Sequence, residues 1–147
     1  MRSEADLFQS ALDARKSAYA PYSRFCVGAA LETADGQIFC GCNVENASYS
    51  MTMCAERNAV FAAIFAGTRQ FVRISVAGGA DENAACHTPC YPCGACLQVL
   101  TEFCAPETVV ILADGRHTLG EFFPKAFRFC QAAEAAQDDF SDSTTVI

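Results

Sequence analysis

Two cysteine segments carry residue types and spacings suited to holding one metal ion between them. Cys54 opens an Ala-rich helical run, and Cys93 and Cys96 open another further along the chain. Three thiolates on zinc leave one coordination position free for water, which is the arrangement of a catalytic rather than a closed structural site. Glu56 follows the first thiolate by two residues, where its carboxylate could move a proton to or from that water. The pattern therefore predicts a hydrolytic zinc site.

The second cysteine segment allows two registers. Cys93 and Cys96 are three residues apart in the first turn of a predicted helix, so their sulfurs share one face. The partial positive charge of a helix N-terminus also favours thiolates. Cys90 forms an alternative pair with Cys93, but Pro92 disfavours helical backbone at the residue before it, which places Cys90 ahead of the helix. A closed four-cysteine structural site that includes Cys90 stays open as the alternative, although it leaves Glu56 without a role.

Histidine, the commonest alternative ligand, is scarce in this chain. Only His87 and His117 occur, one in a predicted loop and the other in a predicted turn, and both are interpreted as solvated residues. Five further cysteines fall within strand or helix patterns, where a buried cysteine behaves as a small hydrophobic residue. They are Cys26, Cys40, Cys42, Cys104 and Cys130. Cys86, in the predicted loop before Cys90, has no assigned role, and metal binding is assigned to Cys54, Cys93 and Cys96.

The hydrophobic pattern predicts the elements that must position these cysteines. Helices are expected at 3–19, 54–66 and 93–103, and strands at 25–31, 38–44, 71–77 and 108–113. A turn at 114–117 leads into a further segment at 118–123. The helix at 54–66 is apolar all round beyond Asn58 and is expected to be buried. This order predicts an α/β fold with a mixed sheet and helices on both faces.

Composition limits the classes of function. The 147 residues fit one domain, and the longest uncharged apolar run, 59–67, is far too short for a membrane span of roughly 20 residues. A net charge of −7 argues against a nucleic-acid partner, because phosphate binding relies on Lys and Arg. The charged N-terminal stretch has no apolar signal-peptide core, and ten cysteines fit a compartment that keeps thiols reduced. We therefore expect a cytoplasmic protein with a small-molecule substrate and subunit contacts.

Four motifs together resemble the small, homotetrameric, zinc-dependent cytidine deaminases. They are PYSRF at 21–25, GCNVENASY at 41–49, CAER at 54–57 and PCGAC at 92–96. The resemblance spans about residues 7–127. It implies a three-layer α-β-α fold with about five strands, a single deaminase domain at 1–127, and one Zn²⁺ per subunit. Residues 128–147 are expected to form an extension that is first helical, then acidic and mobile.

The resemblance also implies roles for residues around the metal. Asn43 and Glu45 would hold the ribose hydroxyls, the backbone at Ala55 would read the base edge, and Phe25 would pack on the pyrimidine ring. Phe127 would reach into the site of a neighbouring subunit, so that sites are shared within the tetramer.

Arg57 follows Glu56 directly and would donate hydrogen bonds to the thiolates, offsetting the negative charge of a three-thiolate zinc centre. In the established zinc deaminase mechanism, zinc activates water for attack on C4 of cytosine, and Glu56 carries a proton to N3 and then to the leaving amine. Leu97 departs from the family, which commonly has Arg after the last cysteine.

The function implied is hydrolysis of cytidine, and of 2'-deoxycytidine, to the uracil nucleoside and ammonia in pyrimidine salvage. An aminonucleoside deaminase of the blasticidin type shares the zinc motifs, but Asn43 with Glu45 favours an ordinary nucleoside. A zinc-stabilised module without catalysis is the alternative from another class. Substitution of Glu56 separates the enzyme from the module.

Overall fold

The computed structural model describes residues 2–129, so the predicted extension lies outside the described residues from 130 onward. Five strands, five α-helices and a short 3-10 turn follow one another along this part of the chain. In order they are α1 (Glu4–Arg15), β1 (Cys26–Thr33), β2 (Ile38–Cys42), the 3-10 turn (Tyr49–Met51), α2 (Ala55–Phe65), β3 (Phe71–Gly79), α3 (Glu82–His87), α4 (Gly94–Phe103), β4 (Val109–Leu112), β5 (Gly115–Thr118) and α5 (Leu119–Phe122).

The strands form one sheet in the order β2-β1-β3-β4-β5. Only β3 and β4 run parallel, and the other neighbouring pairs are antiparallel. A parallel pair needs a long crossover, which α3 and α4 supply between β3 and β4. Because α4 carries two of the predicted thiolate ligands, this crossover also brings them back to the sheet. The predicted mixed sheet is confirmed.

Helices cover both faces of the sheet, as the predicted three-layer arrangement requires. On one face α1 buries Leu7 and Ala11 against β-strand residues such as Ala30. On the other face α2 and α4 pack with α5 into the larger core, where Val60 and Leu100 are almost fully buried. The two cysteine-bearing helices therefore share one face, which is the requirement for a joint metal site.

Two elements differ from the sequence-based prediction. Residues 82–87, expected as loop, form α3, because the Asp81 side chain accepts the Ala84 amide at 2.8 Å and caps the helix. The expected turn before Thr118 is mostly strand β5, and a capping box between Thr118 and Glu121 then starts α5. His117 consequently lies on β5 rather than in a turn, and the other histidine ends α3.

The prediction that α2 is buried all round is wrong for the described chain. Ala59 and Ala63 are fully buried against the sheet, but Phe61 is 46% exposed and Phe65 is 95% exposed. A helix lying on a sheet buries only the face that meets it, so uniform hydrophobicity leaves the outer face apolar and uncovered. None of the helices in residues 2–129 is long and apolar enough to cross a membrane.

Candidate metal centre and active site

The starts of α2 and α4 meet and bring the three predicted metal ligands together. Cys54 is the N-cap of α2, Cys93 is the N-cap of α4, and Cys96 lies in the first turn of α4. Their sulfurs all lie within 4.8 Å of one another. The Sγ atoms of Cys54 and Cys93 are 3.8 Å apart, and those of Cys93 and Cys96 are 3.6 Å apart.

These spacings fit a tetrahedral zinc ion. Zn–S bonds of about 2.3 Å at tetrahedral angles separate neighbouring sulfurs by about 3.8 Å. Cys96 is buried, whereas Cys93 is exposed, so the cluster opens to solvent on one side. Three thiolates with an open side are the donor set of a catalytic zinc site.

Cys90 does not join this sulfur group among the described residues. Its side chain packs on the larger core and lies so close to Gly78 that a Cβ there would meet Cys90 Sγ at 2.6 Å. Burial raises the pKa of the Cys90 thiol to about 11, which disfavours the thiolate that a ligand needs. The closed four-cysteine site is therefore not formed.

Within the cluster, Cys54 is the thiol that accepts hydrogen bonds from its neighbours. Hydrogen bonds from the Cys96 thiol and from Arg57 lower the pKa of Cys54, against the effect of burial. Arg57 Nη2 lies 3.3 Å from Cys54 Sγ, as expected from the sequence. The pKa of Cys96 is raised, because its thiol donates to Cys54 and is buried. A divalent cation must therefore displace the proton that the thiols retain.

Glu56 lies beside the cluster in the first turn of α2 and is only 4% exposed. Burial raises the pKa of this carboxyl to about 7, and the nearby Cys54 charge adds to the effect. A carboxyl that titrates near neutral pH can accept a proton in one step and donate it in another. Among the residues singled out from the sequence, Glu56 therefore has the properties of a proton carrier.

A short connector, residues 43–45, follows β2 and places Asn43 and Glu45 next to the start of α2. The residue between them, Val44, exchanges backbone hydrogen bonds with Met53 at 2.9 and 3.0 Å. Because Met53 immediately precedes Cys54, the connector runs alongside the metal-binding end of the helix. Asn43 and Glu45 are both buried, at 9% and 4% exposure.

Both connector side chains bind the backbone of residues 22–27, which we call the Phe25 segment. Glu45 Oε1 accepts the amides of Tyr22 at 3.0 Å and Ser23 at 3.1 Å. The Ser23 hydroxyl and these amides lower the pKa of Glu45, so it stays a carboxylate at neutral pH. Asn43 Nδ2 donates to the Phe25 carbonyl at 2.8 Å, and Asn43 Oδ1 accepts the amide at the end of the segment at 2.8 Å.

The remaining predicted site residues occupy different environments. Ala55 is fully buried in the first turn of α2, directly after Cys54, and the Phe25 ring is 43% exposed. Phe127 is 70% exposed, and its carbonyl accepts a 2.9 Å hydrogen bond from Gln98 on α4. Its predicted insertion into a neighbouring subunit stays a prediction.

The sequence-based prediction did not single out Gly41, which allows the backbone of α2 to lie directly against strand β2. A Cβ at Gly41 would lie 2.3 Å from the Ala55 carbonyl oxygen and 2.4 Å from the Ala59 amide nitrogen. Asn58 reinforces the joint by donating to the Cys42 carbonyl at 2.8 Å. The available signal was a glycine inside a strand pattern, which often marks close backbone approach.

Comparisons with known proteins identify the family of this chain. The family model for the cytidine and deoxycytidylate deaminase zinc-binding region matches residues 1–113. Cytidine deaminase from Halalkalibacterium halodurans is 46% identical over 126 residues, which are 82% of this chain and 91% of that protein. Cytidine deaminase from Sporosarcina psychrophila is 46% identical over 119 residues, which are 78% and 83% of the two chains.

Solved structures of deaminases share the fold. Cytidine deaminase from Burkholderia pseudomallei superposes with a TM-score of 0.77 at 46% identity, covering 86% of this chain and 100% of that one. Cytidine deaminase from Mycobacterium tuberculosis gives 0.78 at 35% identity, with coverages of 88% and 100%. The chain therefore belongs to the cytidine and deoxycytidylate deaminase family and is a zinc-dependent hydrolytic deaminase.

Proposed function

We propose that this protein hydrolyses cytidine, and also 2'-deoxycytidine, to the corresponding uracil nucleoside and ammonia. The observation that carries the proposal is a three-thiol cluster with an open side, next to a buried carboxyl whose pKa is raised to about 7. Relatives that are cytidine deaminases support the choice of substrate. We place the reaction in the cytoplasm, in pyrimidine salvage.

Cys54, Cys93 and Cys96 would hold one zinc ion, which would supply an activated water molecule as the nucleophile. Arg57 donates to Cys54 and offsets part of the negative charge of three thiolates. When the sulfur ligands carry less negative charge, the cation remains a stronger Lewis acid. The helix N-termini at the first two cysteines act in the same direction.

Glu56 moves the protons of the reaction. Its carboxylate takes one proton from the attacking water and passes it to N3 of the base, and then takes the second proton from the new hydroxyl on C4 and delivers it to the departing amine. The bond from C4 to oxygen forms and the bond from C4 to nitrogen breaks, so cytidine and water give uridine and ammonia. Burial of Glu56 raises the pKa of its carboxyl to about 7, where the group can both accept and donate a proton.

The nucleoside binds against the connector and the Phe25 segment, beside the start of α2. Phe25 packs on the pyrimidine, the backbone at Ala55 reads the base edge, and Asn43 with Glu45 binds the ribose hydroxyls. Support comes from the connector, which runs along the start of α2, and from the half-exposed Phe25 ring. Stacking of this kind is worth about 1–3 kcal/mol per ring by alanine substitution.

We propose a homotetramer in which Phe127 completes the site of a neighbouring subunit. The exposed aromatic side chains of Phe61, Phe65 and Phe127 support it, because large apolar surfaces favour subunit contacts. Dilution to monomer should then abolish turnover. A monomer with full specific activity would contradict the shared site.

The test is incubation with cytidine while the ultraviolet band of the cytosine ring and the release of ammonia are followed together. Glu56→Gln is the matched control, since it should retain zinc and lose turnover. If the wild-type protein and Glu56→Gln both bind zinc and neither converts cytidine, the protein is a non-catalytic zinc module. Conversion of blasticidin without conversion of cytidine would move the assignment to the aminonucleoside deaminases.

A further inference from the structure

The backbone of the Phe25 segment contains a strained residue directly before the ring. Arg24 has φ of 57°, the one positive φ among the non-glycine residues that the structure describes. An L-residue in the left-handed region persists when the surrounding structure over-determines it. The Arg24 amide donates to Ala20 at 3.0 Å and the Phe25 amide donates to the Ser23 hydroxyl at 3.0 Å, so local contacts supply part of that restraint.

The segment gains little anchoring from its own ring. Phe25 is 43% exposed, whereas Asn43 and Glu45, which bind the segment, are 9% and 4% exposed. Four hydrogen bonds with these two buried side chains hold residues 22–25 and the Val27 amide, while the end of the segment, Cys26 and Val27, is also paired within the sheet as the start of β1. Removing either side chain would leave backbone groups without partners in a partly buried place.

We infer that Asn43 and Glu45 are positioning residues for Phe25, acting through the backbone of its segment and independently of any contact with the sugar. The inference rests on the proposed function in one respect: it takes the Phe25 ring to pack on the pyrimidine base. The side-chain contacts themselves belong to the protein without substrate. They can therefore be tested apart from catalysis.

The first test is amide hydrogen exchange of the zinc-loaded, substrate-free protein. Glu45→Met, which keeps the volume and removes the acceptor, should speed exchange at Tyr22 and Ser23 by about 10- to 100-fold, the range expected for hydrogen bonds to a charged group. Glu45→Gln retains an acceptor oxygen and should restore most of the protection. Unchanged exchange at both amides in Glu45→Met would overturn the inference.

A matched control separates local positioning from general loss of stability. Glu32 is another buried carboxylate, fully inaccessible, which lies near the end of β1 away from the Phe25 segment, accepts the Arg2 amide at 3.0 Å and pairs with Arg73 on the neighbouring strand β3. Glu32→Gln should lower the melting temperature without speeding exchange at Tyr22 or Ser23. Equal acceleration at these amides in both variants would mean that Glu45 has only a global structural role.

The second test compares substrates with and without sugar hydroxyls. If Glu45 positions Phe25 in addition to binding the sugar, Glu45→Met should raise KM for 2',3'-dideoxycytidine as well as for cytidine, with a smaller change in kcat. A rise in KM that disappears with the dideoxynucleoside would assign Glu45 to the sugar alone and overturn the inference. Failure of the wild-type protein to convert either nucleoside would refute the proposed function, while hydrogen exchange would still decide the positioning role.

Discussion

Gly41→Ala should damage the active site through a clash between backbones. The added Cβ would lie 2.3 Å from the Ala55 carbonyl oxygen, whereas ordinary contact begins at 3.4 Å. The start of α2, with Cys54 and Glu56, must therefore retreat by about 1 Å, and a misplacement of that size costs on the order of 100-fold in rate. Overpacking of a filled interface also costs about 1–3 kcal/mol of folding stability.

The assay compares kcat per folded molecule, zinc content and melting temperature with those of a matched variant. Gly28→Ala introduces the same kind of clash on the opposite face, with a Cβ 2.0 Å from the Ala11 carbonyl oxygen on α1. It should lose stability to a similar degree and keep most of its kcat. Should Gly41→Ala not fold, Asn58→Ala removes a single hydrogen bond at the same joint and provides a milder displacement.

The reasoning about Gly41 would be refuted by either of two results. One is a Gly41→Ala protein with wild-type kcat and full zinc, since α2 would then tolerate the displacement. The other is an equal loss of kcat in Gly41→Ala and Gly28→Ala at equal loss of stability, since the effect would then not depend on α2.

Three further predictions concern the groups around the cluster. Arg57→Gln removes the 3.3 Å contact with Cys54 and should weaken zinc binding by about 10- to 100-fold in a chelator competition, and unchanged affinity would contradict the assigned role. Because the pKa of Glu56 is raised to about 7 and the reaction begins with its carboxylate, kcat/KM should rise with pH up to about 7 and then level off; a midpoint near the ordinary value of 4.5 would disagree. Gln98→Met removes the 2.9 Å hydrogen bond to the Phe127 carbonyl and should raise KM while zinc content stays constant, so an unaltered KM would count against Phe127 as a substrate contact.

The metal ligands were predictable because their spacing is local. Cys93 and Cys96 share a helix face by periodicity alone, and the structure places them 3.6 Å apart. Cys54 required the further hypothesis that two helix starts meet, which followed from the chemistry of a three-thiolate site beside a carboxylate, and the structure brings the three sulfurs together. The mixed sheet followed from strands that alternate with helices.

Features that depend on distant segments were not predictable in the same way. The backbone contacts of Glu45 with Tyr22 and Ser23 join parts of the chain separated by more than twenty residues, and no local pattern reports them. The outer face of α2 was misjudged because an all-apolar helix has no periodicity to show which side the sheet covers. Strand β5 was missed because an Asp-Gly pair at its start has the composition of a turn.

The sulfur cluster also makes the cation a cross-link between remote parts of the chain. Cys54 and Cys93 are 39 positions apart, so an ion shared by them closes a loop of that length in any state that retains it. Chain-entropy estimates for a covalent closure of this size give about 4 kcal/mol. Removal of the ion by a chelator should therefore lower the unfolding temperature as well as stop turnover, and the unfolding temperature should rise again with free zinc concentration.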